Sequence, residues 1–209
     1  MLRNVNNRIK KEFCMDTFEK LSTKVLLPEY LKSYSVIRNI NHLKSILRKN
    51  NVQEENIDGI INEYIYKLIP PGTKGCIRGR TFNSIIKFHI LSIPLSSRHF
   101  TIEFEKKHSL YLTNEIPDWT IFEHKTGKLI VGMNQLDLWS GGQQKNRGNK
   151  YIYHETNNKK IKLLNVICHK TYFKTRNSVF DLFCHGFRND SLCYITGLQK
   201  IIYDFFNVY

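Results

Sequence analysis

The chain has 209 residues, 41% of them hydrophobic, and carries 32 Lys and Arg against 18 Asp and Glu, a formal charge of +14. That apolar content supports a core and excludes wholesale disorder, and no run approaches the roughly 20 apolar residues of a membrane-spanning helix. The opening residues MLRNVNNRIKKEF lack the apolar stretch of a secretory signal, so an intracellular protein with no membrane partner is expected. The positive charge points to a polyanion. Because it is spread along the whole chain rather than gathered in a tail, it favours a basic cleft for nucleic acid over a membrane-binding arm. The cysteines, Cys14, Cys76, Cys168, Cys184 and Cys193, are odd in number and form no CxxC pair, so reduced thiols are expected. Cys168-His169 and Cys184-His185 are poor zinc pairs, because neighbours on a strand face opposite ways.

The first seventy residues read as helical. Leu43, Ile46 and Leu47 mark an apolar stripe in a helix over 39–49, and Ile57, Ile60, Ile61 and Tyr64 mark another over 53–68. Pro70-Pro71-Gly72 is expected to stop it. We therefore expect a helical N-terminal extension over 1–70 and an α/β (α+β) domain over 71–209. Residues 72–80 combine Gly72, Gly75 and Gly79 with Lys74, Arg78 and Arg80, which reads as a loop able to approach a phosphate. A helix over 81–92 follows, closed by Pro94.

From Phe100 the period changes to two, with Phe100, Ile102 and Phe104 alternating with polar residues in a strand over 100–105. Strands over 119–124 and 129–138 flank a turn at Lys125-Thr126-Gly127-Lys128. Ser140 is placed to cap a helix running to Tyr153. Further strands are expected over 161–168 and 179–184, then a terminal helix capped at Asn189-Asp190-Ser191 and ending near Phe206. Trp119 and Trp139 flank the hairpin, and each suits either base stacking or packing.

If His124 pairs with Leu129, Asp118 stands opposite Gln135, and Asp137 lies two residues further along the same face. Two carboxylates and an amide at one strand end suit a hard cation such as Mg²⁺, which prefers a few carboxylate oxygens and shares its shell with phosphate. Ser140-Gly141-Gly142 and the helix that follows would offer free backbone N–H groups to a phosphate. Gln143, Gln144, Lys145, Arg147 and Lys150 on that helix add polar contacts and positive charge.

Pro117-Asp118, a hairpin, and Gln135-x-Asp137 on the next strand resemble the PD-(D/E)xK nuclease family, which includes many type II restriction endonucleases. The GGQQ, NRG and KY elements between Gly141 and Tyr151 resemble restriction-endonuclease-like sequences too. The resemblance implies a core of helix, three strands, helix and strand around a mixed sheet, and a Mg²⁺-dependent hydrolase cutting DNA. It implies Asp118 as the first metal ligand and Gln135 where an acid is usual. Asp137 stands where the family has Lys, a departure that Lys145 would have to make good. The upstream acid is Glu103 or Glu105, of equal parity, with Glu103 carried as the metal ligand. Glu123-His124-Lys125 is a literal ExK, but it lies on the same strand as Asp118 and reads as a solvated turn. Double-stranded DNA as substrate and a homodimer, one site per strand, are expected. The alternatives are a catalytically inactive nucleic-acid-binding protein on the same fold, and an assembly protein with a basic face but no cleft.

Overall fold

The computed structural model describes residues 1–111, 115–137, 143–153, 158–170 and 172–208, with the backbone alone described for 143–147. The helices are α1 (Leu2–Glu12), α2 (Met15–Lys20), α3 (Leu27–Leu31), α4 (Tyr34–Lys49), α5 (Glu54–Tyr64), α6 (Pro71–Ser92), α7 (Gln143–Tyr153), α8 (Ser178–Arg188) and α9 (Ile195–Phe206). The strands are β1 (Phe100–Phe104), β2 (Trp119–Glu123), β3 (Leu129–Gln135), β4 (Ile161–Ile167) and β5 (Leu192–Tyr194). No helix among the described residues is long and apolar enough to cross a membrane. The mixed α/β architecture expected from the sequence is present.

The chain divides into two compact units, Glu19–Thr81 and a second made of Met1–Phe18 with Phe82–Tyr209. This differs from the boundary expected at residue 70, for two physical reasons. Helix α1 buries Val5 and Ile9 among Phe180, Phe183 and Phe187 of α8, so the chain start belongs with the α/β unit. The preceding helical run does end before Pro70, as expected, but Pro71 at once opens a new helix that runs into the α/β unit, because the first turn needs no donor from its own N–H.

The helical unit has two small cores. Leu26, Tyr30, Val36, Ile69 and Ile77 form one. Ile57, Ile61 and Ile65 form the other, covered by Leu43 and Leu47 of α4. The segment expected as a glycine loop over 72–80 is the first half of α6. A Cβ at Gly72, Gly75 or Gly79 would meet nothing within 4 Å, so these glycines serve no turn or close approach.

In the α/β unit the sheet runs in the order β1-β2-β3-β4-β5. The β1–β2 and β2–β3 pairs are antiparallel, and β3–β4 and β4–β5 are parallel. A parallel neighbour needs a crossover, which α7 supplies between β3 and β4. Strand β3, LIVGMNQ, is buried along nearly its whole length, as a central strand covered on both faces must be. On one face Leu129, Val131, Met133 and Leu163 pack with Tyr151 of α7. On the other, Asn134 reaches Asn83 of α6.

Two expected elements change type. Residues 179–184, read as a strand, lie in α8, because Val179, Phe180, Phe183 and Phe187 also fit helical spacing and a short apolar run cannot tell the two apart. Asn177 caps α8, its side chain accepting from the Val179 and Phe180 N–H groups. The start of the expected terminal helix is instead the short β5, and α9 begins at Ile195.

The register is fixed by one close approach. Trp119 stands opposite Gly132, and a Cβ at position 132 would lie 1.9 Å from the indole. We expect Gly132→Ala to cost about 3 kcal/mol or more, as overpacking of a rigid ring does, measured by urea denaturation followed by far-UV circular dichroism.

Burial on α6 holds the His89 imidazole below its ordinary pKa, and its Nε2 has no hydrogen-bond partner among the described residues. The unfolded chain therefore takes up a proton near pH 6.5 that the folded one takes only at lower pH. Stability should be full above about pH 7 and fall as the pH drops through 6.5. The variant His89→Leu should flatten that decline in melting temperature between pH 7 and pH 5.

Candidate functional site

Three of the residues singled out in the sequence, Asp118, Gln135 and Asp137, lie at the end of the sheet where β3 and β4 finish and β2 begins. Asp118 precedes β2, and its backbone is held from both sides. Its N–H donates to Gly132 O at 3.1 Å and its carbonyl accepts from the Glu105 N–H at 3.1 Å. Its Oδ2 accepts from the Asn134 backbone N–H at 2.6 Å, and Asn83 Nδ2 approaches Oδ1 at 3.4 Å. Asn134 binds in three directions at once. Besides that N–H, its Oδ1 accepts from Trp119 Nε1 at 3.0 Å and its Nδ2 donates to Asn83 Oδ1 at 3.2 Å.

The expected pairing of His124 with Leu129 is corrected. Phe122 stands opposite Leu129, a shift of two residues. His124 is drawn toward β1 instead, its ring nitrogens lying 2.7 Å from Thr101 Oγ1 and 3.2 Å from Arg98 O. The turn closes at Gly127, whose φ of 69° suits glycine. Asp118 thus meets Gly132 and Asn134 rather than standing opposite Gln135. A shift of two preserves the parity of every side chain on the strand, so Gln135 keeps its expected face.

That face carries a second polar set. Gln135 Oε1 accepts from Asn165 Nδ2 at 2.9 Å, both residues being buried. Asn165 Oδ1 finds no partner among the described residues. Just beyond β3, Asp137 Oδ1 lies 3.4 Å from His169 Nδ1. His169 is buried, its ring tilted against Phe183 and its carbonyl accepting from the Tyr194 hydroxyl at 2.9 Å. Burial pushes the Tyr194 hydroxyl well above its usual pKa, so it stays a donor to that carbonyl.

The remaining candidates fall elsewhere. Glu103 pairs with Thr120 in the β1–β2 ladder and forms an ion pair with Lys106. Glu105, not Glu103, is the acid whose backbone meets Asp118, and it turns away from the ladder at a φ of 51°. Lys74 Nζ donates to Tyr66 O and Arg78 Nε to Leu21 O within the helical unit, with Arg80 on the same helix. Lys150 of α7 pairs with Glu115 at 3.2 Å. Gln143, Gln144, Lys145 and Arg147 lie on α7, but their side chains are outside the described residues, as are Trp139, Ser140, Gly141 and Gly142 altogether. Among the described residues no group of three or more His, Cys, Asp or Glu is placed to hold a metal ion.

Asn83, Asn134 and Asn165 go unmarked in the sequence, and His169 figures there only as a poor zinc ligand beside Cys168, not as the partner of Asp137. A faint signal exists for Asn165, the one uncharged polar residue inside the apolar run Ile161–Ile167. No protein-family model matches the chain, and neither does any curated protein or solved structure.

The Asn134 N–H is taken up by a charged acceptor. Asp118→Ala should strand it, costing about 1–3 kcal/mol of stability in urea denaturation, while Asp118→Asn, which keeps an acceptor, should cost less.

Proposed function

We propose that this protein is a Mg²⁺-dependent endonuclease that hydrolyses DNA phosphodiester bonds, on a core like that of the PD-(D/E)xK restriction endonucleases. The observation that carries the reading is the bond from the Asn134 N–H to Asp118, which joins the first carboxylate to the strand end bearing Gln135 and Asp137. The order α6, β1, β2, β3, α7, β4 supports it, as does the formal charge of +14.

The donor set suits Mg²⁺ in kind: two carboxylates, Asp118 and Asp137, and the amide oxygen of Gln135, with water and phosphate oxygens completing the shell. Bound Mg²⁺ would polarise the phosphate and lower the pKa of an attacking water. The chain's own part is to hold these groups still. Asn134 fixes the Asp118 carboxylate, Asn165 fixes the Gln135 amide, and His169 fixes Asp137. Lys145 would supply the cation that Asp137 displaces from its usual position, and Arg147 and Lys150 would neutralise backbone phosphates. Lys74, Arg78 and Arg80 would add charge along α6 in place of a phosphate loop. Two copies would be needed to cut both strands of a duplex.

A second reading, a non-catalytic nucleic-acid-binding protein on the same fold, is favoured by one observation. Both Asp118 oxygens already have nitrogen neighbours, Asn134 and Asn83.

Plasmid DNA incubated with Mg²⁺ should be nicked or cut, and EDTA should stop it. Asp118→Asn should reduce the rate about 100-fold or more, a loss of roughly 2.7 kcal/mol in transition-state stabilisation. DNA left intact in both Mg²⁺ and Mn²⁺, with a gel shift retained, would establish the second reading.

A further inference from the structure

The segment joining β4 to α8 leaves the sheet at Ile167, passes His169 beside Asp137, and reaches Tyr172 within five residues. It is anchored from an unexpected quarter. Asn6 of α1 donates its Nδ2 to Phe173 O at 2.9 Å and accepts the Phe173 N–H on Oδ1 at 3.0 Å, both bonds being buried. The paired bonds hold Phe173 with its ring edge-on to Phe180 and Phe183.

The neighbouring Tyr172 is the opposite case, an aromatic side chain left 72% exposed. It borders a surface cleft of about 370 Å³ that is also lined by Arg3, Asn7 and Lys174 and contains no carboxylate. Leu2, Asn6 and Phe173 complete its lining, and two cations with no carboxylate to offset them favour an anionic occupant over an apolar peptide. A ring flanked by cations is the combination that binds single-stranded nucleic acid, with the base on the ring and the phosphates on the cations.

We propose that Tyr172 is a stacking platform for a nucleic-acid base, that Arg3 and Lys174 take the phosphates on either side of it, and that Asn6 positions the platform. The inference rests on nucleic acid being the substrate, and it adds where an unpaired or frayed base is received. His169, earlier in the segment, holds Asp137, but Arg3, Asn6, Tyr172 and Lys174 are not among the proposed metal ligands or their partners, so binding and cleavage can be separated by experiment.

The test is fluorescence anisotropy with a fluorescein-labelled single-stranded oligonucleotide in EDTA, where no cleavage interferes, across a series of salt concentrations. Tyr172→Ala should weaken binding about 10-fold, and Tyr172→Phe, which keeps the ring, should retain it. Arg3→Ala and Lys174→Ala should each flatten the salt dependence by about 0.7 in log–log slope. Asn6→Ala should weaken binding although it removes no ligand contact. An unchanged melting temperature checks that Tyr172→Ala is folded. If wild type and Tyr172→Ala bind equally, the platform is refuted while the nuclease reading stands. If the wild type binds no nucleic acid at all, both fall.

Discussion

The α/β unit depends on an exchange of volume between two strands. Trp119 on β2 lies flat over position 132 of β3, where any side chain larger than hydrogen would occupy the space of the ring. A tryptophan has few places to go inside a protein packed to crystal density, so this contact leaves the hairpin a single alignment. The aligned indole then offers its N–H to Asn134, and Asn134 in turn holds Asp118 and Asn83. Packing thus positions a polar network, and the network positions the carboxylate on which the proposed chemistry turns.

The arrangement also separates two kinds of polar residue. Asn83, Asn134 and Asn165 are neutral amides, each able to donate and accept, and they occupy the half-buried and buried places. The carboxylates Asp118 and Asp137 sit at strand ends, held by the Asn134 N–H and by the His169 ring. Amides in the interior avoid the desolvation penalty that a buried ion pair would carry.

Much of the architecture was legible from residue order. The alternation from Phe100 to Phe104, the hairpin around Gly127 and the long apolar β3 follow from side-chain period and turn chemistry. The order of α6, the three following strands, α7 and β4 was legible for the same reason. What escaped was decided by distant partners. His124 left its expected pairing because Thr101 and Arg98 on a third segment hold its ring. Residues 72–80 are helical despite three glycines, within a helix whose Ile77 joins a core with Tyr30 and Val36. Of the candidate site, Asp118, Gln135 and Asp137 could be found by pattern. Asn134 and Asn165 could not, because an asparagine announces neither its partners nor its burial.

The placement of α1 has a consequence for how the chain is made. Asn6 and its partner Phe173 are 167 residues apart in sequence, and Arg8 reaches still further, to the carbonyl of Phe187. At a ribosomal pace of about 5–20 residues per second, α1 emerges some 10–30 s before the segment that completes its apolar face. In that interval the helical unit of Glu19–Thr81, whose cores are drawn from within itself, can already be folded. Helix α1 is therefore made before the partners that bury it, and the α/β unit closes only when segments 167 residues apart meet.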